Sequence, residues 1–485
     1  MKKTLVITSL LFILSIGFIA VLHTSLLKEK DQVTYQDTIL CGDASMAEGI
    51  TVQCNAQYDQ KLFWNTTYKP GKHPVTKTKY RMYTTEQEES FEPTDEMTIE
   101  TYIPSQYGVI RDENSAQATE LPIIYQDLYK KVKKNETKED TIYVKDYFDY
   151  YPLKCDINIQ GKDYFISSDP EYFADEYENV PLLPLLDFLK IPVLEDEKWN
   201  IIVHKDSSGD YSLESEKCDT DSFEFMTHSV VGEEKVFFTF HPFTMNGNLV
   251  DTSHIPGGFG IYAFSYSDSG ENKDAVDPAF DMTSLANVYP LNPEEYIYRM
   301  NMSEDKSKIF LFTEDSHLDG TKMTVIDALT MEMLQTVNIP AMKNNTASEG
   351  LVVNEIYQYD DFFVLLCSFD YLVVMEQGAD GQYRLALISK LPEADSAYED
   401  ILNYFAMPIG MDWNGRELVM VQPLFLDTSY GLQESAGFQI SIFDENGLKY
   451  YSQHKSSLNT AYSSDYESVI TYQEAKEPSL RVSWN

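Results

Sequence analysis

From about residue 50 onward the chain alternates short apolar runs with clusters of Gly, Asn, Asp and Ser. This is the period-2 signature of half-buried strands, not the 3.6-residue spacing of helices. The clearest unit spans residues 296–340. Tyr296-Ile297-Tyr298-Arg299-Met300 predicts a strand, and Ser303-Glu304-Asp305-Lys306-Ser307 a polar turn. Lys308-Ile309-Phe310-Leu311-Phe312 predicts a second strand, residues 322–327 a third after an Asp319-Gly320 turn, and residues 332–337 a fourth. The same pattern recurs over 351–357, 362–368, 371–376 and 383–388, and again over 405–411, 417–421, 438–443 and 448–452. Asp380-Gly381, Asn414-Gly415 and Asn446-Gly447 predict hairpin turns, because both central residues of such turns take positive φ. The second strands begin near Lys308, Phe362 and Glu417, spaced about 55 residues apart, and four strands per such period is the repeat of a β-propeller blade. The expected fold class is therefore all-β and propeller-like, with about seven four-stranded blades over residues 48–485.

The motifs within the first of these units carry a resemblance. Ser303-Glu304-Asp305-Lys306-Ser307-Lys308-Ile309-Phe310, followed by Thr324-Val325-Ile326-Asp327-Ala328-Leu329-Thr330, resembles a blade of membrane-anchored or extracytoplasmic proteins with YVTN-type propeller repeats. In such blades a polar S-x-D-x-x turn opens the second strand and V-I-D-x-x-T closes the third. The resemblance covers residues 296–452 and leaves 50–290 with an architectural likeness alone. It implies a fold and an extracytoplasmic address, and no catalytic residues come with it.

Upstream the period loosens. Residues 236–240 and 258–266 predict one blade with long acidic insertions, and 141–146, 157–167, 199–204 and 211–215 another. The latter is interrupted by residues 181–190, read as a short capping helix. Residues 52–64 and 77–84 predict a hairpin pair, and a helix starting at Ile123 ends on the basic run Lys130-Lys131-Val132-Lys133-Lys134, whose charges complement the helix dipole. The competing architecture is two β-rich domains split near Glu195-Asp196-Glu197.

The start of the chain has a different pattern. Residues 4–27 are almost unbrokenly apolar behind Met1-Lys2-Lys3 and are long enough to cross a bilayer's hydrocarbon core, roughly 30 Å thick. The stretch exceeds a signal peptide's apolar core and lacks small residues at its exit, which favours an uncleaved anchor over a cleaved signal. Lys28 and Lys30 nearly balance Lys2 and Lys3, so orientation rests on the secretory-like start. The expected arrangement is a cytoplasmic tail (1–3), an anchor (4–27), a tether (28–47) and an extracytoplasmic domain (48–485).

Charge narrows the partners. A formal net charge of −41 repels phosphate backbones, which argues against nucleic acid and favours solubility and cationic ligands. The 34 Tyr and 26 Phe exclude a disordered acidic tail and suit pleated, half-buried surfaces. Expected partners are the membrane, through the leading helix, and a cationic ligand, a protein or a glycan. Weak calcium binding by the acidic run Glu86, Glu88, Glu89, Glu92, Asp95 and Glu96 is a further candidate, set against a plain solvated insertion. Asp206-Ser207-Ser208-Gly209-Asp210 superficially resembles a calcium loop but fails the EF-hand register, so it reads as a hairpin turn.

Chemistry is sparse. Serine-hydrolase elbow, zincin, P-loop and dinucleotide-binding motifs are all absent, and no cofactor is expected. Pro256-Gly257-Gly258-Phe259-Gly260 leads into a strand, not a helix, and so reads as a turn or bulge. His241 and His254 bracket one long loop with Asp251, and these three are the candidate ligand-binding residues; the plain alternative is a loop whose histidines bond only to backbone. Trp413 beside Asn414-Gly415 is a second aromatic of interest, although a packed hairpin residue explains it. Of five cysteines, Cys41–Cys54 and Cys155–Cys218 are candidate disulfides by sequence proximity, and Cys367 reads as a core residue. The expected function is a membrane-tethered extracytoplasmic binding or scaffold protein, with no catalytic residue assigned. An extracytoplasmic carbohydrate-active enzyme and a sensory domain acting through a membrane partner are the alternatives.

Overall fold

The computed structural model describes residues 14–18, 33–58, 61–84, 96–101, 108–110, 123–151, 153–159, 162–167, 183–218, 223–244, 250–267, 279–315, 320–343, 348–349, 351–359, 361–392, 410–427, 433–457 and 480–485. These residues form antiparallel β-sheets with few helices, in keeping with the expected all-β class. Two compact units divide it: residues 1–91 with 354–485, and residues 92–353. The division expected near Glu195-Asp196-Glu197 is not where the chain separates. Glu197 is 4% exposed in the second unit, and its carboxylate accepts hydrogen bonds from the Tyr151 hydroxyl and from Trp199 Nε1 at 3.0 Å. An acidic triplet looks like a linker in sequence, but burial of one carboxylate with two donors makes it a knot in the core.

The first unit holds three sheets. Sheet A joins Leu480–Trp484 to Ile50–Tyr58, then Leu62–Lys69 and Val75–Met82. Sheet F runs in chain order through Val353–Gln358, Phe362–Cys367, Tyr371–Gln377 and Tyr383–Lys390. Sheet G runs through Gly410–Trp413, Leu418–Asp427, Gln433–Asp444 and Gly447–Ser456, with Tyr35–Cys41 added at its edge. Inner strands such as Phe362–Cys367 are buried on both faces because sheets stack, while edge strands such as Val75–Met82 are largely exposed. Leu366, Val374 and Leu387 of F pack with Met420 and Phe443 of G, and Val419, Val421 and Ile440 of G pack with Val52, Cys54 and Trp64 of A. The strands expected in F, and those over 417–421, 438–443 and 448–452 in G, form at or around their predicted bounds, while of the strand expected over 405–411 only residues 410–411 are described, in Gly410–Trp413.

The expected tether over 28–47 is ordered in its second half. Tyr35–Cys41 pairs antiparallel with Gly447–Ser456, and the Tyr35 ring packs edge-on against Tyr68 and Phe438 at 5.1 and 5.0 Å. Asp37 anchors this strand. It accepts from the Tyr68 hydroxyl at 2.5 Å and from His454 Nδ1 at 2.9 Å. Burial pushes its pKa up, but these hydrogen bonds and the attraction of His454 outweigh it, leaving the carboxyl below its ordinary value. Of the anchor expected over 4–27, residues 14–18 are helical with Leu14, Ile16 and Phe18 exposed, and the rest lies outside the described residues. No helix among the described residues is long and apolar enough to cross a membrane.

Among the described residues the second unit holds four larger sheets and the two-stranded pair Met342–Lys343 with Ser348–Glu349. Sheet B is Glu96–Thr101, Leu153–Ile159 and Lys162–Ser167; sheet C is Gly108–Ile110, Tyr211–Lys217, Lys198–Lys205 and Glu136–Tyr143. The blade expected to unite 141–146, 157–167, 199–204 and 211–215 is therefore not formed. Residues 157–167 fall on two strands that pair with each other, and the first of them, Leu153–Ile159, also pairs with Glu96–Thr101, a partner that local periodicity cannot name. Sheet D is Phe223–Val231, Lys235–Thr244, Gly260–Ser267 and Ala279–Pro290, and sheet E is Glu295–Met302, Lys308–Asp315, Gly320–Asp327 and Met333–Pro340. Helices α1 (Ile123–Lys131) and α2 (Leu183–Phe188) bury Ile124, Leu128, Leu185 and Leu186 in the core formed by B, C and D. Both agree with the predicted helices at Ile123 and within 181–190.

Sheet E gives the resemblance motifs their physical meaning. Asp305 Oδ1 accepts from Ser303 Oγ, Ser307 Oγ and the Ser307 backbone N–H at 2.6, 2.7 and 3.1 Å, holding a tight turn with Lys306 at φ 55°. Asp327 Oδ1 accepts from the backbone N–H groups of Leu329 and Thr330 at 3.0 and 2.7 Å. The Ala328 N–H donates to the Ser307 carbonyl, tying the two turns together. Side-chain bonds from Ser303 and Ser307, then the Ser307 N–H, pull the Asp305 carboxyl down to about 2.

Two stability predictions follow from these carboxylates. Glu197→Ala removes the buried carboxylate that accepts from Tyr151 and Trp199 and lowers stability by about 2–3 kcal/mol in urea unfolding. For Asp305 the folded pKa lies below the unfolded one, so its contribution is present above about pH 4 and is lost as pH falls toward 2. Asp305→Ala is thus expected to melt below the parent at neutral pH, with the gap closing by about pH 2; a gap constant with pH would contradict this origin.

Candidate functional site

The expected site residues are all described, and they separate by exposure. Lys235–Thr244 and Gly260–Ser267 are neighbouring strands of sheet D, and residues 250–259 connect toward the second of them. Thr252 and Ile255 of this loop are buried while Asp251 and His254 are exposed. The loop is held internally: the Ile255 N–H donates to Thr252 O at 3.0 Å, Gly258 N–H to Ile255 O at 2.9 Å, and Val250 N–H to Pro242 O at 3.4 Å. Asp251 Oδ1 accepts from the Ser253 N–H at 2.9 Å. That backbone bond and Ser253's side chain, with a smaller attraction from His254, lower the Asp251 carboxyl below its usual value. The loop thus presents an anionic carboxylate near an imidazole from a framed turn, an arrangement that attracts cations and hydrogen-bonding ligands.

The glycine-rich segment expected as a turn is one, and its glycines are required. Gly257 has φ 85°, and a Cβ there would lie 2.6 Å from Cβ of Asn287. Asn287 Nδ2 in turn lies 2.9 Å from the carbonyls of Gly257 and Gly258 and 3.2 Å from that of Phe259. One side-chain amide therefore caps the entry into the strand, and Tyr262 adds a hydroxyl bond to Gly258 O at 2.7 Å.

His241 does not join Asp251 and His254 at a rim. It lies inside Lys235–Thr244, 3% exposed, against Phe259 at 4.8 Å and Tyr296 at 5.6 Å between ring centroids. The Phe-His-Pro-Phe context reads as a loop in sequence, but the strand runs on through His241 and Pro242 to Thr244. Pro242 sits within the paired region, opposite Phe225. Burial, followed by repulsion from His228, pushes the His241 imidazole down to about 4, so it is neutral at neutral pH.

The remaining candidates resolve structurally. Trp413 is a packed hairpin aromatic whose Nε1 donates to Glu376 at 2.9 Å. Asp206 closes the hairpin between Lys198–Lys205 and Tyr211–Lys217, accepting from Ser208 Oγ and the Gly209 N–H. The acidic run Glu86, Glu88, Glu89, Glu92 and Asp95 lies outside the described residues, and Glu96 opens a strand. All five cysteines are thiols, so neither Cys41–Cys54 nor Cys155–Cys218 is bridged. Sequence proximity misleads because Cys41 and Cys54 belong to strands of different sheets, and Cys155 belongs to sheet B while Cys218 follows a strand of sheet C. Among the described residues no group of three His, Cys, Asp or Glu side chains is placed to hold a metal ion. The Asp37–Tyr68–His454 cluster and His228 opposite Thr239 were not singled out in the sequence; alternation along Phe223–Val231 is the signal that places Met226 and His228 on one face.

Burial separates the thiols chemically. Cys54 and Cys367 are pushed up to about 12 and Cys155 is raised as well, so none forms a thiolate at neutral pH, whereas Cys218 is exposed. Iodoacetamide labelling followed by peptide mass mapping is expected to modify Cys218 first. Cys54, Cys155 and Cys367 are expected to react only after denaturation.

No protein-family model and no curated protein matches this sequence. Among solved structures the chain is similar to a periplasmic gluconolactonase of Pseudomonas aeruginosa, at 11% identity over 84% of this chain and 96% of that one, with a TM-score of 0.28. It is also similar to a quinonprotein alcohol dehydrogenase-like protein of Bacteroides thetaiotaomicron, at 11% identity over 90% and 94% with a TM-score of 0.20. A β-propeller domain of Myceliophteria thermophila aligns at 9% identity over 54% and 93%, with a TM-score of 0.21. Superposition at this level carries no implication for activity or ligand.

Proposed function

We propose that this chain is a membrane-tethered extracytoplasmic binding or scaffold protein, its larger antiparallel sheets serving as YVTN-like blades that carry ligand-contacting loops. The observation that carries the reading is the loop 250–259. Its apolar residue Ile255 and its hydroxyl residue Thr252 face inward, while Asp251 and His254 face solvent. Backbone bonds within the turn and the Asn287 amide hold that presentation in place. A framed loop loses little conformational entropy when it binds, which is how loops on rigid sheets become recognition surfaces. With a formal net charge of −41, the loop favours a cationic ligand, such as a lysine-rich peptide or an amino sugar. The apolar segment at residues 4–27 is the basis for the tether.

The reading is tested with the purified full chain in detergent. A panel of cationic peptides and amino-sugar oligomers is screened by calorimetry, and each confirmed ligand is then measured on Asp251→Ala and His254→Ala. Loss of one charged contact is expected to weaken binding about 5–10-fold, and the effect of Asp251→Ala should shrink in high salt. Unchanged affinity in both variants would place recognition elsewhere. Topology is checked separately: protease added to intact cells or spheroplasts should digest the region beyond residue 30, and protection until lysis would reverse the orientation.

A further inference from the structure

His241 is the least explained polar side chain on sheet D. Neither Nδ1 nor Nε2 has a hydrogen-bond partner among the described residues, although the ring is 97% buried by its 3% exposure. A buried imidazole without partners gives up its hydration for nothing unless something else uses its lone pair. The neighbourhood supplies a candidate use. In the antiparallel pair Phe223–Val231 with Lys235–Thr244, Met226 stands directly opposite His241 and His228 directly opposite Thr239. Period-2 alternation puts Met226, His228, Thr239 and His241 on the same face of the sheet.

The other side of this face is built from sheet E of the same unit. Tyr296 lies 5.6 Å from His241 between ring centroids, and its hydroxyl is 3.2 Å from Met226 Sδ. The Ile297 carbonyl lies 3.2 Å from His228 Nε2. A carbonyl only accepts, so His228 donates through Nε2–H and carries its lone pair on Nδ1. An imidazole oriented by a backbone carbonyl through one nitrogen is the usual outer-shell arrangement of a metal-bound histidine. Met226 and His228 are half-buried, leaving an approach from solvent, while His241 and Phe259 close the inner side.

We propose that Met226, His228 and His241 form a binding site for a single soft monovalent metal ion, cuprous copper, with one thioether sulfur and two imidazole nitrogens as ligands. The three donors are neutral, so a monovalent ion leaves a buried net charge of one where a zinc or calcium ion would leave two. Thioether sulfur prefers Cu(I), and carboxylate-seeking Ca²⁺ and Mg²⁺ find no oxygen anion among the three ligands. The aromatic faces of Tyr296 and Phe259 add a favourable surround for a cation. The site is independent of the Asp251–His254 loop: it lies within the paired strands and uses neither residue.

The test is an anaerobic titration of the full chain with Cu(I) in competition with bicinchoninate. Cys41→Ser and Cys218→Ser are introduced first to remove the two thiols that are not buried. One equivalent of Cu(I) is expected to bind, with X-ray absorption showing mixed sulfur and nitrogen scattering. Met226→Leu, which keeps size and apolarity, and His241→Phe are each expected to weaken binding at least tenfold. Cu(I) should raise the melting temperature of the parent and leave that of both variants unshifted. Copper held equally tightly by Met226→Leu and His241→Phe, or purely sulfur scattering, would overturn the site. Failure to bind Cu(I) by a parent chain that melts cooperatively would overturn it as well.

Discussion

The pairing of Leu480–Trp484 with Ile50–Cys54 is the constraint on which the first unit rests. Two segments at opposite ends of the described chain share one sheet, so that sheet cannot form until the chain has come back to its start. The strand brings Leu480 and Val482 into the apolar layer containing Val52, Cys54, Trp64 and Val421. A sheet whose residues are apolar on both faces must be covered on both, and each neighbour supplies the cover for the next. The Tyr35–Cys41 strand repeats the device on sheet G, where Tyr35 inserts between Tyr68 and Phe438. Long-range closure of this kind is entropically costly and makes unfolding of the unit cooperative.

Multiply bonded carboxylates provide the polar counterpart of this packing, with Glu197 buried, Asp37 half-buried and Asp305 exposed. Asp37 joins Tyr68 and His454, Glu197 joins Tyr151 and Trp199, and Asp305 organises a turn through Ser303 and Ser307. Each accepts from two or more donors, which for Glu197 and Asp37 is the condition for keeping an anion away from bulk water. Asp37 and Glu197 are distinguished by partners distant in sequence, Tyr68 and Tyr151, whereas Asp305 is distinguished by residues two positions away.

The same contrast governs the candidate site. The exposed pair Asp251 and His254 and the buried His241 are close in sequence yet chemically unlike. The former meet solvent on a turn held by backbone bonds and Asn287. The latter sits in an aromatic pocket with Met226 across the strand, and its chemistry is that of a neutral imidazole. Proline at position 242 does not end the strand, because it lies beyond the residues that pair with Gly260–Ser267 and is flanked in the ladder by Phe223–Val231 on one side, where a missing N–H is tolerated.

Local pattern alone determined a large part of this protein. The strands between 296 and 452 are legible because alternation and Asn-Gly or Asp-Gly turns are short-range signals, and the Asp305 and Asp327 turns are written in residues two or three apart. The helix at Ile123 and the short helix within 181–190 are legible for the same reason. Tertiary structure decided the rest. It assigned residues 157–167 to a sheet with Glu96–Thr101, turned residues 35–41 from tether into edge strand, and kept the cysteines apart on different sheets. It also buried His241 opposite Met226 and left Asp251 and His254 outside. Strand partners distant in sequence are chosen by which apolar faces can be covered, and that choice depends on the whole chain at once, whereas hydropathy periodicity reports only on neighbours.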